Sequence, residues 1–225
     1  MRAIVFGATG MVGQGVLREC LLDDGVEQVL TVGRRATGQR HPKLRELVVG
    51  DLTDYSAVQD ELSGHDACFF CLGVASAGMA EDAYSRITHD MPVAAARTLS
   101  ALNPGMTFVL VSGTGADSAE RSRLMWARVK GKAENAVLAM PFKAAYVFRP
   151  AFIQPLHGIR SRTPLYRFFY AVGGPLFPLL KRLFPDKVTT TEQMGRAMIA
   201  VARHGAGKRV LEQADINAVP VDRPA

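Results

Sequence analysis

Residues 2 to 13 read RAIVFGATGMVG, and this stretch decides the fold. A short apolar run, Arg2 to Phe6, ends in a glycine-rich turn that passes directly into an amphipathic segment, Met11 to Leu22. Such an order predicts a buried strand, a tight turn and a helix. Three glycines, Gly7, Gly10 and Gly13, divide the turn.

The glycine spacing is typical of a pyrophosphate site. Glycine at the first position permits a tight turn, at the second a close backbone approach to the ligand, and at the third close packing of helix on strand. Backbone amides and the positive end of the helix dipole then face the phosphates. We therefore predict a dinucleotide site, with a purely structural turn as the alternative. The residues assigned to this turn are Gly7, Thr9, Gly10, Met11, Val12 and Gly13.

The same alternation of apolar runs and amphipathic stretches continues along the chain. Strands are predicted at Arg2 to Phe6, Gln28 to Val32, Leu44 to Val49, Ala67 to Leu72, Thr107 to Val111 and Ala144 to Phe148. Helices are predicted at Met11 to Leu22, Tyr55 to Leu62, Ala80 to Leu102, Ser122 to Ala139 and Glu192 to Ala202. Continuous apolar strands separated by helices predict a parallel sheet covered on both faces, hence a doubly wound α/β domain.

Length and charge restrict the classes of function. The 225 residues suit one domain with an elaborated end, so residues 1 to 225 are predicted to form a single unit. The net charge of +6 comes from scattered basic residues, and no run resembles a nucleic-acid arm. An anionic small molecule fits this balance, and nucleic acid is not an expected partner.

The cysteines indicate a reducing compartment. Cys20, Cys68 and Cys71 are too few and odd in number for a secreted disulfide framework. Cys68 and Cys71 would face opposite sides of a strand, with no second pair or histidine cluster, so we predict free thiols and no metal site. The N-terminus shows no signal-peptide pattern, and a cytoplasmic location is predicted.

The end of the second strand indicates which dinucleotide binds. An acidic residue there would bind a ribose 2′-hydroxyl, whereas Arg34 and Arg35 suit a 2′-phosphate. Because no Asp or Glu lies between Gln28 and Arg45, the sequence favours NADP(H) over NAD(H). The alternative is that the two arginines form a solvated pair in a loop.

Two further strand ends complete the predicted cofactor contacts. Asp51 could accept a hydrogen bond from an adenine amino group while Leu52 packs on the ring; alternatively, Asp51 caps the next helix. The segment Cys71-Leu72-Gly73 is a small-residue exit that lets the backbone pass close to a cofactor.

An ordered set of motifs carries a family resemblance. The set comprises the glycine turn, Gly50-Asp51-Leu52, Val111 to Asp117, Val129 to Glu134 and Phe148-Arg149-Pro150. Together they resemble extended or atypical short-chain dehydrogenase/reductases, specifically epimerase/dehydratase-like members and NADPH-binding Tat-interactive oxidoreductase-like proteins. The resemblance extends from Arg2 to about Phe152 and implies a Rossmann-type domain.

The resemblance also implies a catalytic group, with one departure. Members of the family use a Ser/Tyr/Lys set in which the tyrosine lies four residues before the lysine. Lys130 matches the lysine, which binds the nicotinamide ribose, but Trp126 occupies the tyrosine position. An indole has no acid-base pair accessible near neutral pH. Ser112 and Thr114 match the substrate-orienting hydroxyls, although they could also cap the following loop.

The segment after the sixth predicted strand matches the family segment beside the nicotinamide. Pro150, Phe152 and Ile153 are assigned to it, although Pro150 and Phe152 could also merely end a strand. Three other candidate proton donors lack the required spacing and are interpreted as packing residues: Tyr84, His89 and Tyr146.

The C-terminal third is less regular. Residues 151 to 190 are predicted to form an irregular substrate cap over the carboxyl edge of the sheet. Within it, Leu165 to Phe184 is aromatic and basic and would roof an apolar pocket; surface attachment to a membrane is the lesser alternative. Thr189, Thr190 and Thr191 offer N-caps for the last helix.

Two functions follow from these patterns. The first is an NADP(H)-dependent oxidoreductase, or an epimerase-like enzyme, acting on a small carbonyl, alcohol or sugar-like substrate. The second is a non-catalytic NADPH-responsive regulator, which Trp126 favours. The family resemblance further suggests a homodimer in which the helices at Ala80 to Leu102 and Ser122 to Ala139 pair.

Overall fold

A computed structural model describes residues 1–159 and 185–221. The aromatic segment Leu165 to Phe184, predicted as a pocket roof, lies outside these residues. The strands of the main sheet are β1 (Arg2–Phe6), β2 (Gln28–Gly33), β3 (Leu44–Val48), β4 (Ala67–Phe70), β5 (Thr107–Val111), β6 (Ala144–Arg149) and β9 (Val210–Glu212). Two short strands, β7 (Phe152–Gln154) and β8 (Val188–Thr190), form a separate pair. The helices are α1 (Met11–Leu22), α2 (Gln59–Leu62), α3 (Glu81–Ser85), α4 (Met91–Leu102), α5 (Met125–Leu138), α6 (Thr191–His204) and α7 (Gln213–Ala218).

The seven-stranded sheet is parallel throughout, in the order β3-β2-β1-β4-β5-β6-β9. The strand order reverses between β1 and β4, where the connections that leave the two strands run to opposite faces of the sheet and leave a crevice. The predicted doubly wound α/β fold is therefore confirmed, and the reversal fixes where a ligand fits.

Both faces of the sheet are covered. On β1, Ala3 and Val5 pack into the cluster that contains α1 and α6, while Ile4 and Phe6 pack into the cluster that contains α4. All four side chains are fully buried. This explains the continuous apolar run in the sequence, because alternate side chains enter different cores.

The helix predicted at Ala80 to Leu102 is present as a continuous helical run from Glu81 to Leu102, but it is not α-helical throughout. Helix α3 continues into a π-helical turn at Arg86–Asp90, which continues into α4. Periodicity alone did not reveal the π-turn, because the apolar positions continue across it. A π-turn inserts an extra residue and is frequent at functional sites.

Regular structure also appears where none was predicted. Within the region predicted as an irregular cap, β7 and β8 pair in parallel. The edge strand β9 and helix α7 were missed because each is short, with only three and six residues. The predicted N-cap of the last helix is confirmed, since Thr190 Oγ1 accepts a hydrogen bond from Gln193 N at 3.0 Å.

Helix α6 packs closely on α1, the helix that follows the glycine turn. A Cβ atom built on Gly15 would lie 2.7 Å from the Thr191 carbonyl oxygen, and one on Gly195 would lie 3.1 Å from the Gly15 carbonyl oxygen. Only glycine allows this approach. The C-terminal helix therefore holds the phosphate-turn helix in place.

Candidate functional site

The glycine turn has the geometry of an anion cradle. Gly7 adopts φ +73°, and its carbonyl oxygen accepts a hydrogen bond from Gly10 N at 2.8 Å. A Cβ atom on Gly7 would lie 2.7 Å from Leu72 N, and one on Gly13 would lie 2.1 Å from the Gly7 carbonyl oxygen. Larger residues at these two positions are therefore excluded by backbone contacts.

The first amides of α1 have no hydrogen-bond acceptor in the part of the chain that the structure describes. Gly10 is the N-cap and supplies no side-chain hydrogen bond, and the first turn carries no acidic residue. The first bond of the helix runs from Gln14 N to the Gly10 carbonyl oxygen at 2.8 Å. The amides of Met11, Val12 and Gly13 consequently offer donors for an anion at the positive end of the helix.

A cavity of about 470 Å³ opens at the point where the strand order reverses. This volume falls within the ordinary range for small-molecule and cofactor sites. Of the predicted cofactor residues, those lining it are Gly7, Thr9, Gly10, Arg34, Arg35, Leu52, Cys71, Leu72 and Gly73. Eight others lie outside the lining: Met11, Val12, Gly13, Asp51, Lys130, Pro150, Phe152 and Ile153.

Sequence reasoning missed part of the wall. The additional lining residues are Ala8, Thr31, Val32, Gly33, Thr37, Val74, Ile87 and Met91. The residues at the glycine turn and at the end of β2 lie next to motifs that the sequence shows, so the same motifs could have predicted them. Ile87 and Met91 come from the π-turn and the start of α4, and no local signal marks them, because only the tertiary fold carries that helix over the crevice.

The loop after β2 presents two cations to the cavity. Arg34 and Arg35 are exposed, and neither makes a hydrogen bond or ion pair within the described ranges. The loop is held by Glu46 of β3, whose Oε2 accepts hydrogen bonds from Thr37 N at 2.5 Å and Thr31 Oγ1 at 3.3 Å. Sequence reasoning missed Glu46, which reaches this loop because β3 is the neighbour of β2.

Asp51 has local partners. Its Oδ1 accepts hydrogen bonds from Thr53 N at 2.9 Å and Thr53 Oγ1 at 2.7 Å, and these bonds lower the pKa of the carboxyl. Asp51 Oδ2 lies 3.7 Å from the Arg86 guanidinium. Asp51 thus closes the turn after β3, whereas Leu52 lines the cavity.

A second, small cavity of about 10 Å³ adjoins the first. Leu72 and Gly73 line both cavities, so the two share a wall at the end of β4. Ser112 and Lys130 line only the second. Burial lowers the pKa of the Lys130 ammonium, and the negative charge of Glu134 partly opposes this effect.

Ser112 belongs to a buried ionic network. Its hydroxyl donates to Glu134 Oε1, and the Glu134 side chain is fully buried. Arg149 Nε donates to both Glu134 oxygens at 3.1 and 3.2 Å, and Arg149 also bonds Glu212 Oε1 at 3.0 Å and Ser118 Oγ at 2.6 Å. These bonds raise the pKa of Arg149. The network ties α5 to β5 and β6.

Thr114 differs from Ser112. Thr114 is exposed, and its backbone N donates to the Pro150 carbonyl oxygen at 3.0 Å. The two strand ends are therefore joined beside the second cavity. Pro150 itself is buried, Phe152 is 39% exposed, and Ile153 packs in the core with α6.

Trp126 packs one helical turn before Lys130. Its six-membered ring lies against Gly115, where a Cβ atom would be 3.0 Å from Trp126 Cη2. Gly115 has φ +83°, which an L side chain rarely adopts. The indole thus covers the loop after β5.

The remaining observations concern metal ligands, thiols and apolar helices in the described ranges. No group of three or more His, Cys, Asp or Glu residues there could hold a metal ion, and the three cysteines are free thiols. Burial raises the pKa of Cys71, which lines the main cavity. No helix within residues 1–159 and 185–221 is both long and apolar enough to cross a membrane.

The fold and site together define a Rossmann-type, dinucleotide-binding protein. A family model described as NAD(P)H-binding matches residues 7–145, and the chain belongs to this family. The match covers every strand from β2 to β5 and the glycine turn.

Fungal relatives match almost the whole chain. A protein of Aspergillus oryzae named fmp52-2, mitochondrial, is 30% identical over 224 residues, covering 95% of this chain and 94% of that protein. FMP52-1, mitochondrial, of Scheffersomyces stipitis is 30% identical over 195 residues, covering 84% of each. The prediction of a cytoplasmic location is wrong, because these curated relatives are named as mitochondrial proteins.

Solved structures show the same fold at low identity. Gre2 of Candida albicans in complex with NADPH superposes with a TM-score of 0.72 at 13% identity, covering 94% of this chain and 77% of that one. MoeE5 in complex with UDP-glucose and NAD gives 0.69 at 18% identity, covering 94% and 75%. These two neighbours hold different nucleotides, NADPH and NAD, so they do not decide between NADPH and NADH for this chain.

Proposed function

We propose that this protein is an NADP(H)-dependent oxidoreductase. Its substrate would be a small, largely apolar carbonyl compound, the corresponding alcohol or a sugar-like molecule. One observation carries the proposal. The cavity that begins at the exposed arginine loop passes the glycine turn and shares the wall Leu72 to Gly73 with the cavity of Lys130. The arginine loop in the main cavity and Lys130 in the adjoining cavity are therefore placed to suit the two ends of a dinucleotide.

The residues present fit such a cofactor. The unpaired amides at the start of α1 would bind the pyrophosphate, Leu52 would pack against the adenine, and Lys130 would bind the nicotinamide ribose. A Cβ atom on Gly73 would meet nothing within 4 Å, so the backbone there is open to a ligand. When bound, the reduced nicotinamide supplies a hydride.

The preference for a phosphorylated nucleotide rests on Arg34 and Arg35. Both guanidiniums are exposed at the rim of the main cavity, where the ribose of the adenosine half would lie. Guanidinium groups bind phosphate through charge-assisted, often bidentate, hydrogen bonds. Glu46 of β3, the acidic side chain that bonds this loop, is engaged by Thr37 and Thr31.

The replacement of the family's tyrosine supports a second candidate function. Trp126 packs on Gly115 and has no phenol to offer, which favours a protein that binds NADPH and responds to it without turnover. In that case the cofactor would organise the C-terminal region for a partner protein.

Calorimetry and turnover together test the proposal. We expect NADPH to bind with measurable heat and more tightly than NADH, and NADPH oxidation to occur with benzaldehyde, benzil or isatin as probe carbonyls. The matched variants are Trp126→Tyr, which restores the phenol, and Trp126→Phe, which preserves an aromatic ring without it. Turnover by the natural protein supports the reductase. Binding without turnover, with activity only in Trp126→Tyr, supports the regulator, and no heat with either nucleotide refutes both.

A further inference from the structure

We propose that Lys130 is the proton donor of this protein, in place of the phenol that position 126 lacks. This inference rests on the proposed reductase function and assigns its acid. The carbonyl oxygen of the substrate would lie in the second cavity, within reach of the Lys130 ammonium.

The position of Lys130 supports this role. Its side chain passes Gly113, where a Cβ atom would lie 3.8 Å from Lys130 Cε, and lines the second cavity beside Ser112 and Thr88. Among the residues that the structure describes, its ammonium has neither a hydrogen bond nor an ion pair within 4.0 Å. An ammonium has three N–H donors, so it can bind a ribose hydroxyl and a carbonyl oxygen together.

Within residues 1–159 and 185–221, the surrounding charges leave Lys130 without a counter-ion in contact. On its own helix, Glu134 acts on it from a distance, but Glu134 is engaged by Ser112 and by Arg149 of β6.

Charged groups on the neighbouring elements are also paired. Glu81 of α3 bonds Arg128, and His89 of the π-turn bonds Asp90. Burial is then the dominant influence, and it moves the pKa of Lys130 down toward the range in which an ammonium donates its proton.

The other candidate donors are less suited. The Ser112 hydroxyl already donates its single proton to Glu134. Tyr84 is fully buried with 1% exposure, and the Tyr146 hydroxyl lies on the opposite side of the sheet, where it accepts a bond from Ala206 N at 3.2 Å. Lys130 is thus the titratable group in the described part of the chain that both lines the second cavity and retains free protons.

The proposed step balances. A bound reduced nicotinamide would supply a hydride to the carbonyl carbon, so that its own C–H bond breaks and it is oxidised, while the electron pair of the carbonyl π bond moves to the oxygen. The Nζ–H bond of Lys130 breaks and its proton goes to the carbonyl oxygen, so that an alcohol forms. The neutral amine of Lys130 then takes a proton from water, which restores the ammonium.

Two substitutions separate proton donation from ribose binding. Lys130→Arg keeps the positive charge and the hydrogen-bond donors but cannot release a proton near neutral pH. Lys130→Met removes the charge, the donors and the titratable proton. We expect Lys130→Arg to bind NADPH within about threefold of the natural protein and to lose roughly a hundredfold or more in kcat with benzil. Lys132→Arg, an exposed change on the same helix, is the control and should leave both values unchanged. A kcat in Lys130→Arg equal to that of the natural protein overturns the proposal.

A titration provides a readout independent of activity. In protein made with lysine labelled at the ε-carbon, the NMR signal missing from Lys130→Arg identifies Lys130. We expect its midpoint in the folded protein to lie below that of the same chain unfolded in guanidinium chloride, and the pH profile of kcat to fall above that midpoint. An unshifted midpoint, or a pH profile that Lys130→Arg leaves unchanged, overturns the proposal. NADPH binding without any turnover of the probes also overturns it, together with the reductase, whereas failure to bind NADPH removes the proposed function itself.

Discussion

The substitution Glu134→Gln tests whether the buried ionic network holds helix α5 in position. Gln preserves the size of the side chain but removes the charge that faces Arg149, whose side chain is only 11% exposed. Breaking a buried ion pair by removing one partner costs about 3–5 kcal/mol. Because Arg149 keeps its bonds to Glu212 and Ser118, we expect the lower end of that range, about 3 kcal/mol.

For a chain of 225 residues, this loss corresponds to a decrease in Tm of about 6–12 °C. Urea unfolding followed by circular dichroism at neutral pH measures the free energy, and calorimetry measures Tm. Glu212→Gln is the matched control, because Glu212 bonds the same arginine but is 48% exposed, and it should cost less than about 1 kcal/mol. A loss below about 1 kcal/mol in Glu134→Gln, or an equal loss in both variants, would refute the reasoning.

Three further predictions address the cofactor, the packing of α5 and the pH response. The double variant Arg34→Ala, Arg35→Ala should bind NADPH roughly thirtyfold more weakly, about 2 kcal/mol, and NADH unchanged in calorimetry; equal losses for both nucleotides would contradict the assignment. Gly131→Ala places a methyl carbon 1.7 Å from a backbone carbonyl oxygen in the loop after β5, so we expect the free energy of unfolding in urea to fall by about 2 kcal/mol or more. A free energy of unfolding equal to that of the natural protein would contradict this, because it would mean that the loop moves aside without cost. The hydrogen bond from His157 lowers the pKa of Glu192, so its stabilising contribution is complete above the unfolded pKa of the carboxyl and is lost as the pH falls through the lower folded value. Glu192→Gln should therefore weaken the acid dependence of unfolding, and an unchanged dependence would disprove the link.

The sequence predicted the central strands well because they are buried on both faces. A run such as Thr107–Val111 carries a continuous apolar signal that any parallel sheet requires, and its bounds were confirmed without change. The helices were less certain at their ends. The segment from Glu81 to Leu102 keeps its apolar positions through the π-turn, so periodicity could not show that the hydrogen-bond pattern changes there.

The residues of the candidate site likewise include some that local motifs predict and some that they do not. Gly7, Gly10 and the arginine pair were found from local motifs, since a glycine turn and a strand end are written in consecutive residues. Glu46 and Ile87 were missed, because each reaches the site through an element that neighbours it only in space.

The sequence by itself determined that a strand, a glycine turn and a helix open the chain, and that an indole, Trp126, stands four residues before Lys130. Both depend on residue identity and spacing along the chain. Only the tertiary structure decided that the Ser112 hydroxyl is engaged by a buried Glu134, while Lys130 lines a cavity with no hydrogen-bond or ion-pair partner among the residues described. The physical reason is that burial, hydrogen bonding and desolvation depend on which distant strands and helices meet, and spacing along the chain does not record that.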